Sequence, residues 1–120
     1  MLTRYAKACF PQQAMDEYTP DAWFDVLGDL TLADCRRAVA EVSRHKPFIA
    51  PCEIREEVRR IRDERLRRTE IPAPPPELLD NPAAYSAALR VAATAIADGR
   101  DPAPAVAAIT RQARRELEAS

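Results

Sequence analysis

Residues Arg44–Arg68 read RHKPFIAPCEIREEVRRIRDERLRR, and this stretch decides the fold. Two prolines, Pro47 and Pro51, bracket a short apolar corner that runs into a long charged helix. Proline just inside a helix start costs nothing, because its missing N–H has no helical partner there. The helix predicted from Pro51 carries Ile54, Val58 and Ile61 on one face, with Leu66 at its far end. Glu56, Arg60, Glu64 and Arg68 follow at i, i+4 steps beside Arg55, Arg59, Asp63 and Arg67. Such pairs stabilise an exposed helix by about 0.2–0.5 kcal/mol each. From Glu53 to Arg68 seven arginines face five acids, a surplus of two positive charges. The stretch is a self-paired, mildly basic helix rather than a DNA-reading stripe; its arginine-rich end from Arg59 to Arg68 is the part best suited to phosphate or a partner.

Upstream, caps and periodicity predict three more helices. The first spans residues 2–10, with Tyr5, Ala8 and Cys9 on one face, and stops before Pro11. Thr19-Pro20 starts the second, as an N-cap followed by Pro at the first helical position. Tyr18 and Trp23 have the spacing of a hydrophobic staple, and Trp23, Leu27 and Leu30 form its stripe. Thr31 caps the third, whose stripe is Leu32, Cys35, Val39 and Val42, with Ala38 allowing close approach. Between Asp16 and Asp34 lie six acids and no Lys or Arg. Asp25 and Asp29 stand four apart, where like charges weaken a helix, so an acidic partner-binding patch is weighed against plain solvation.

Downstream the composition changes. Thr69–Asp80 reads TEIPAPPPELLD, which predicts a stiff polyproline spacer; a PxxP ligand is the alternative, but no cation flanks the prolines closely. Asn81-Pro82 and Asp101-Pro102 each start an Ala-rich helix. The first carries Tyr85, Leu89, Ala92 and Ile96 and ends at Gly99; the second carries Val106, Ile109, Ala113 and Leu117. The expected fold is therefore all-α. A bundle of about four helices occupies residues 1–69, a Pro-rich linker residues 70–80, and a helical hairpin or partner-binding segment residues 81–120. Two Gly against 11 Pro suit helices joined by rigid corners.

The chemistry of the chain is sparse. There is one His, no Gly-rich phosphate loop, no G-x-S-x-G and no H-E-x-x-H, so no enzyme and no cofactor are expected. A zinc site from Cys35, His45 and Cys52, completed by Cys9 or a carboxylate, is weighed and set below a structural role, since no C-x2-C pair exists. A net charge of −1 argues against strong non-specific DNA binding. With no signal-peptide pattern and no apolar run near the ~20 residues of a membrane span, a cytoplasmic protein without membrane contact is expected.

Trp23-x3-Leu27, Ala33-Asp34, Ala38-Val39 and Phe48-Ile49-Ala50-Pro51-x2-Ile54-Arg55 resemble the replicative-helicase loader/inhibitor proteins of phages and prophages. The actinobacteriophage versions are similar further on, at Ile54-Arg55, Val58, Ile61-Arg62, Arg65 and Pro72–Leu78, so the likeness covers about residues 1–80. The resemblance implies a non-enzymatic adaptor in the host cell's cytoplasm that binds the hexameric replicative helicase, loads or inhibits it, and works beside a phage replisome organiser. It also implies a structural role for Trp23, Leu27, Phe48, Pro51 and Ile54, with a C-terminal segment holding the helicase. The side chains expected to meet partners are Asp25, Asp29, Arg59, Arg62, Arg65, Arg67, Arg68, Arg90, Arg111 and Arg114. A small helical DNA-binding module and a phage protein that modulates its host by another contact are the alternatives.

Overall fold

The computed structural model describes residues 1–119 and is all-α, with six helices and no strand among them. They are α1 (Leu2–Cys9), α2 (Thr19–Leu27), α3 (Leu32–Ser43), α4 (Pro51–Arg68), α5 (Pro82–Ala97) and α6 (Ala103–Ala119). A 3-10 turn covers Pro76–Leu78. The chain forms two compact units, Met1–Ile61 and Arg62–Ser120.

In the first unit α1 packs on α2 and α3. Ala6 of α1 and Ala38 of α3 are fully buried, and their small side chains permit a close approach. Phe10, Trp23, Leu27, Cys35, Val39, Ile49, Ile54, Val58 and Ile61 complete the core. The predicted stripes of α2, α3 and α4 point inward except at Leu32, which is 43% exposed, and Leu66, which lies half-buried outside this core. In α1 the buried face is Thr3, Ala6 and Phe10 rather than Tyr5, Ala8 and Cys9. Tyr5 is half-buried, and the Arg36 guanidinium sits 4.9 Å from its ring centre, a cation–π contact.

The caps explain where these helices start. Thr31 Oγ1 accepts from the Asp34 N–H at 3.2 Å, the bond expected of an N-cap. Thr19 instead lies inside α2, whose N-cap is Tyr18. The Asp16 carboxylate draws this turn together by accepting from the Tyr18 and Thr19 N–H groups at 2.9 and 3.1 Å. Tyr18 is 69% exposed, so it does not staple to Trp23. At the apolar corner, Ile49 is the buried residue and Phe48 stays half in solvent. The Gln13 side chain donates to the Ile49 carbonyl at 2.7 Å and accepts from its N–H at 2.6 Å. That amide satisfies backbone groups a non-helical, buried corner would otherwise leave orphaned. Glu53 then accepts from the Ala50 N–H at 3.0 Å, closing the start of α4 as half a capping box.

The second unit contains the last turns of α4, the proline-rich segment, α5 and α6. The linker Asp98–Pro102 joins α5 to α6 as a hairpin. Asn81 Oδ1 caps α5 by accepting from the Ala84 N–H, and Asp101 Oδ1 accepts from the Ala103 N–H at the start of α6. Gly99, at φ +76°, ends α5 in the left-handed conformation that glycine adopts without a Cβ clash. The stretch expected to be a stiff spacer also packs: Pro74 and Leu78 are buried, and the 3-10 turn touches both α5 and α6. Around Leu78 the core is Ala88, Ala92, Ala95, Ile96 and Ala97, while Tyr85 is half-buried and Leu89 is 37% exposed.

The units divide within α4, earlier than the boundary read at residues 69/70. The cause lies in the helix's own sequence. Its apolar stripe ends at Ile61, and the residues that follow are bonded to the C-terminal end of α5. Arg65 donates to the Ala97 carbonyl at 2.8 Å and Arg62 pairs with Asp98, which places positive charge where the α5 dipole favours it.

Candidate partner-binding site

A groove of about 260 Å³ opens on the first unit, lined chiefly by Leu2, Trp23, Phe24, Leu27, Leu32 and Cys35. Successive helical residues point about 100° apart, so adjacent Trp23 and Phe24 cannot share a direction. Trp23 turns into the core at 7% exposure, and Phe24 is left 71% exposed at the groove's edge. Gly28 makes room for that ring. A Cβ on Gly28 would meet the Phe24 ring at 3.1 Å and its carbonyl oxygen at 2.8 Å. Cys35 supplies a buried thiol whose pKa is pushed up by burial, so it stays protonated and apolar.

Two acids neighbour Phe24 along α2. Asp21 lies three residues before Phe24, one helical turn away, and Asp25 directly follows it. Both are exposed and make no ion pair among the described residues. Asp29 behaves differently. Arg55 grips it with two parallel bonds, Nη1 to Oδ1 at 2.7 Å and Nη2 to Oδ2 at 2.9 Å. Nη1 also donates to the Val26 carbonyl at 2.7 Å, tying α4 to the end of α2. This guanidinium holds the Asp29 carboxyl down at about 2, from an ordinary 3.8. The expected acidic pair is thus split, with Asp25 left open and Asp29 engaged.

The arginines expected to meet partners are largely occupied within the chain. Arg62 pairs with Asp98, Arg65 with the Ala97 carbonyl, and Arg67 and Arg68 with Glu64. Arg114 donates to both oxygens of Glu77 at 3.0 Å, fastening α6 to the 3-10 turn. Arg62 and Arg100 together hold the Asp98 carboxyl below the usual range, with Arg62 the larger cause. Arg59, Arg90 and Arg111 are exposed and make no ion pair among the described residues.

The residues weighed for zinc do not converge. Cys35 is buried, Cys52 and His45 are exposed, and no cluster of His, Cys, Asp or Glu able to hold a metal occurs among the described residues. His45 Nε2 stands 3.8 Å from Glu41 Oε1 at the end of α3. No helix among the described residues is long and apolar enough to cross a membrane.

Phe24 and Gln13 carry parts of this architecture that the sequence reading passed over, and Leu32, expected in the core stripe of α3, stands on the groove instead. A signal for Phe24 was present, since two adjacent aromatics on one helix force one of them outward. Gln13 had none, because its partner Ile49 is 36 positions away. Comparison of the chain with protein-family models, curated proteins and solved structures gives no match.

Proposed function

We propose that this chain is a non-enzymatic adaptor that binds the hexameric replicative helicase in phage or prophage DNA replication and regulates its loading or activity. One observation carries the protein-binding part: an aromatic side chain 71% exposed at the edge of an apolar groove. Aromatic anchors in desolvated pockets are what protein interfaces use for affinity. The identity of the partner rests on the resemblance of residues 1–80 to helicase loader/inhibitor proteins. The internal bonding of Arg62, Arg65, Arg67 and Arg68 favours a protein partner over duplex DNA, because those guanidinium groups already have acceptors.

Size-exclusion co-elution with the hexameric helicase tests this function, followed by ATPase and unwinding assays on the complex. A complex at micromolar concentration and a changed ATPase or unwinding rate are expected. No complex at that concentration overturns the proposal. So does tight, steeply salt-dependent binding to an origin duplex with no helicase present, which would assign the protein to DNA.

A further inference from the structure

We infer that a second groove, in the Arg62–Ser120 unit, receives an aromatic side chain of a partner protein that carries a carboxylate within a few residues of the ring. This goes beyond the adaptor reading and does not rest on it, since it concerns the other unit and holds whichever protein supplies the ring.

The groove runs between the proline-rich segment and α6. Pro72 and Pro75 form one wall, and Ala103, Val106 and Ala107 form the other. The first wall is shaped by its own sequence. Each proline fixes its φ at about −65°, and Ile71, Ala73, Pro74 and Pro75 each precede a proline, which keeps them extended. Pro75 accordingly stands at φ −56°, ψ 146°, in polyproline II geometry. That helix turns once in three residues and rises about 3.1 Å per residue, so Pro72 and Pro75 share a face about 9 Å apart. Pro74 lies on a different face and is buried, which anchors the segment while Pro72 stays exposed and Pro75 half-exposed.

Two properties of these walls select an aromatic ring. Proline rings present flat apolar faces whose C–H groups beside the amide nitrogen are electron-poor, and an aromatic ring offers a flat, electron-rich face to stack on them. Polyproline segments are accordingly read by aromatic side chains. Proline and alanine also have almost no side-chain freedom to lose, so ordering the walls costs little.

The carboxylate follows from charge within the lining itself. Arg111 lines the groove, is exposed and makes no ion pair among the described residues. Arg114 also lines it but already donates to both oxygens of Glu77. Asp101 lines the far end, where its carboxylate accepts from the Ala103 N–H at 3.0 Å. Ala103 and Arg111 stand about 12 Å apart along the α6 axis, so the open cation and the carboxylate occupy different ends. A partner's acid is therefore favoured on one side of the ring only. No cation flanks the prolines closely in the sequence; the fold supplies one from α6. A nucleic-acid strand would find a single open cation here and meet Asp101 as well.

The test uses short, fluorescently labelled peptides with one Trp and one Glu placed next but one to it, before the ring in one peptide and after it in the other. Control peptides replace Trp by Leu, or Glu by Gln. Anisotropy titrations of the full chain should show saturable binding of one of the two orders. Its Leu control should bind about tenfold more weakly, and its Gln control about threefold more weakly. Arg111→Gln should bring the Glu and Gln peptides together and leave the preference for Trp over Leu. Pro72→Ala should narrow the gap between the Trp and Leu peptides. Both positions are exposed, so helical circular dichroism should stay unchanged.

No saturable binding of either order, equal binding of the Trp and Leu peptides, or a preference for Glu that survives Arg111→Gln overturns the inference. Self-association in light scattering that Pro72→Ala and Arg111→Gln abolish also overturns it, by giving the groove to a second copy of this chain. So does oligonucleotide binding that Arg111→Gln abolishes. Helicase co-elution keeps the two proposals apart. Peptide selectivity without helicase binding removes the helicase and keeps this groove; helicase binding without peptide selectivity does the reverse.

Discussion

Trp23 and Phe24 differ by one position and by almost the whole range of burial, and the difference follows from helical geometry alone. The same economy governs the charged residues. Asp29, gripped by Arg55, has a folded pKa near 2 against 3.8 unperturbed. A carboxylate whose folded pKa is depressed adds stability above its unfolded pKa and loses it as pH falls through the folded one. The Asp29–Arg55 contribution should therefore be present from about pH 4 upward and fade toward pH 2. Both side chains are exposed, so salt should screen it and its size should be small. Urea unfolding of the wild type and Arg55→Gln, compared at neutral and acid pH in low salt, should show the gap closing as pH falls. A gap that persists at acid pH would mean that Arg55 acts through its bond to the Val26 carbonyl.

Helices were legible in the sequence wherever a cap and a stripe agreed. Thr31, Asn81 and Gly99 perform the roles their residue types predict. The buried faces of α2 and α4 follow the 3.6-residue period through Trp23–Leu27 and Ile54–Val58–Ile61. Failures came where local signals were degenerate or long-range contacts decided. In α1, apolar residues at positions 2, 5, 6, 8, 9 and 10 surround most of a two-turn helix, so periodicity could not select the face holding Thr3, Ala6 and Phe10. At Thr19, the Asp16 carboxylate displaced the expected cap. At the corner, Gln13 fixed Ile49 and left Phe48 outside. The packing of the proline-rich stretch has no local signal, because Leu78 finds its burial only once α5 and α6 are in place. The acids beside Phe24 were visible in the sequence; the groove needed the packing of three helices. The caps allow a direct check. Thr31→Ala and Asn81→Ala should each cost about 1 kcal/mol, the first in the Met1–Ile61 unit and the second in the other.

At the scale of the whole chain, two units with very different cores share one sequence. The first encloses Phe10, Trp23, Leu27, Ile54 and Ile61, whereas five of the six apolar side chains buried around the α5–α6 hairpin are alanine or a single isoleucine. Buried apolar area stabilises by about 25 cal/mol per Å², so the alanine-rich unit should be the weaker. Heating should melt it first. Trp23, the one tryptophan, lies in the first unit, so its fluorescence should report a later transition than far-ultraviolet circular dichroism, which senses every helix. Asn81→Ala should move only the earlier transition and Thr31→Ala only the later one. Coincident fluorescence and dichroism curves would show instead that the units unfold as one.

The cation-free run through α2 and the start of α3 also has an analytical consequence. Trypsin cuts after Lys and Arg, so it meets no site between Lys7 and Arg36 and should release residues 8–36 as one peptide. That fragment contains all of α2, with Phe24, Asp21 and Asp25, and the beginning of α3 with Leu32. A carbodiimide bond between one of those aspartates and a lysine of a bound protein would therefore shift a single mass peak. The same digestion would cut the arginine-rich α4 into short pieces, so the groove's partner could be read from one fragment of the map.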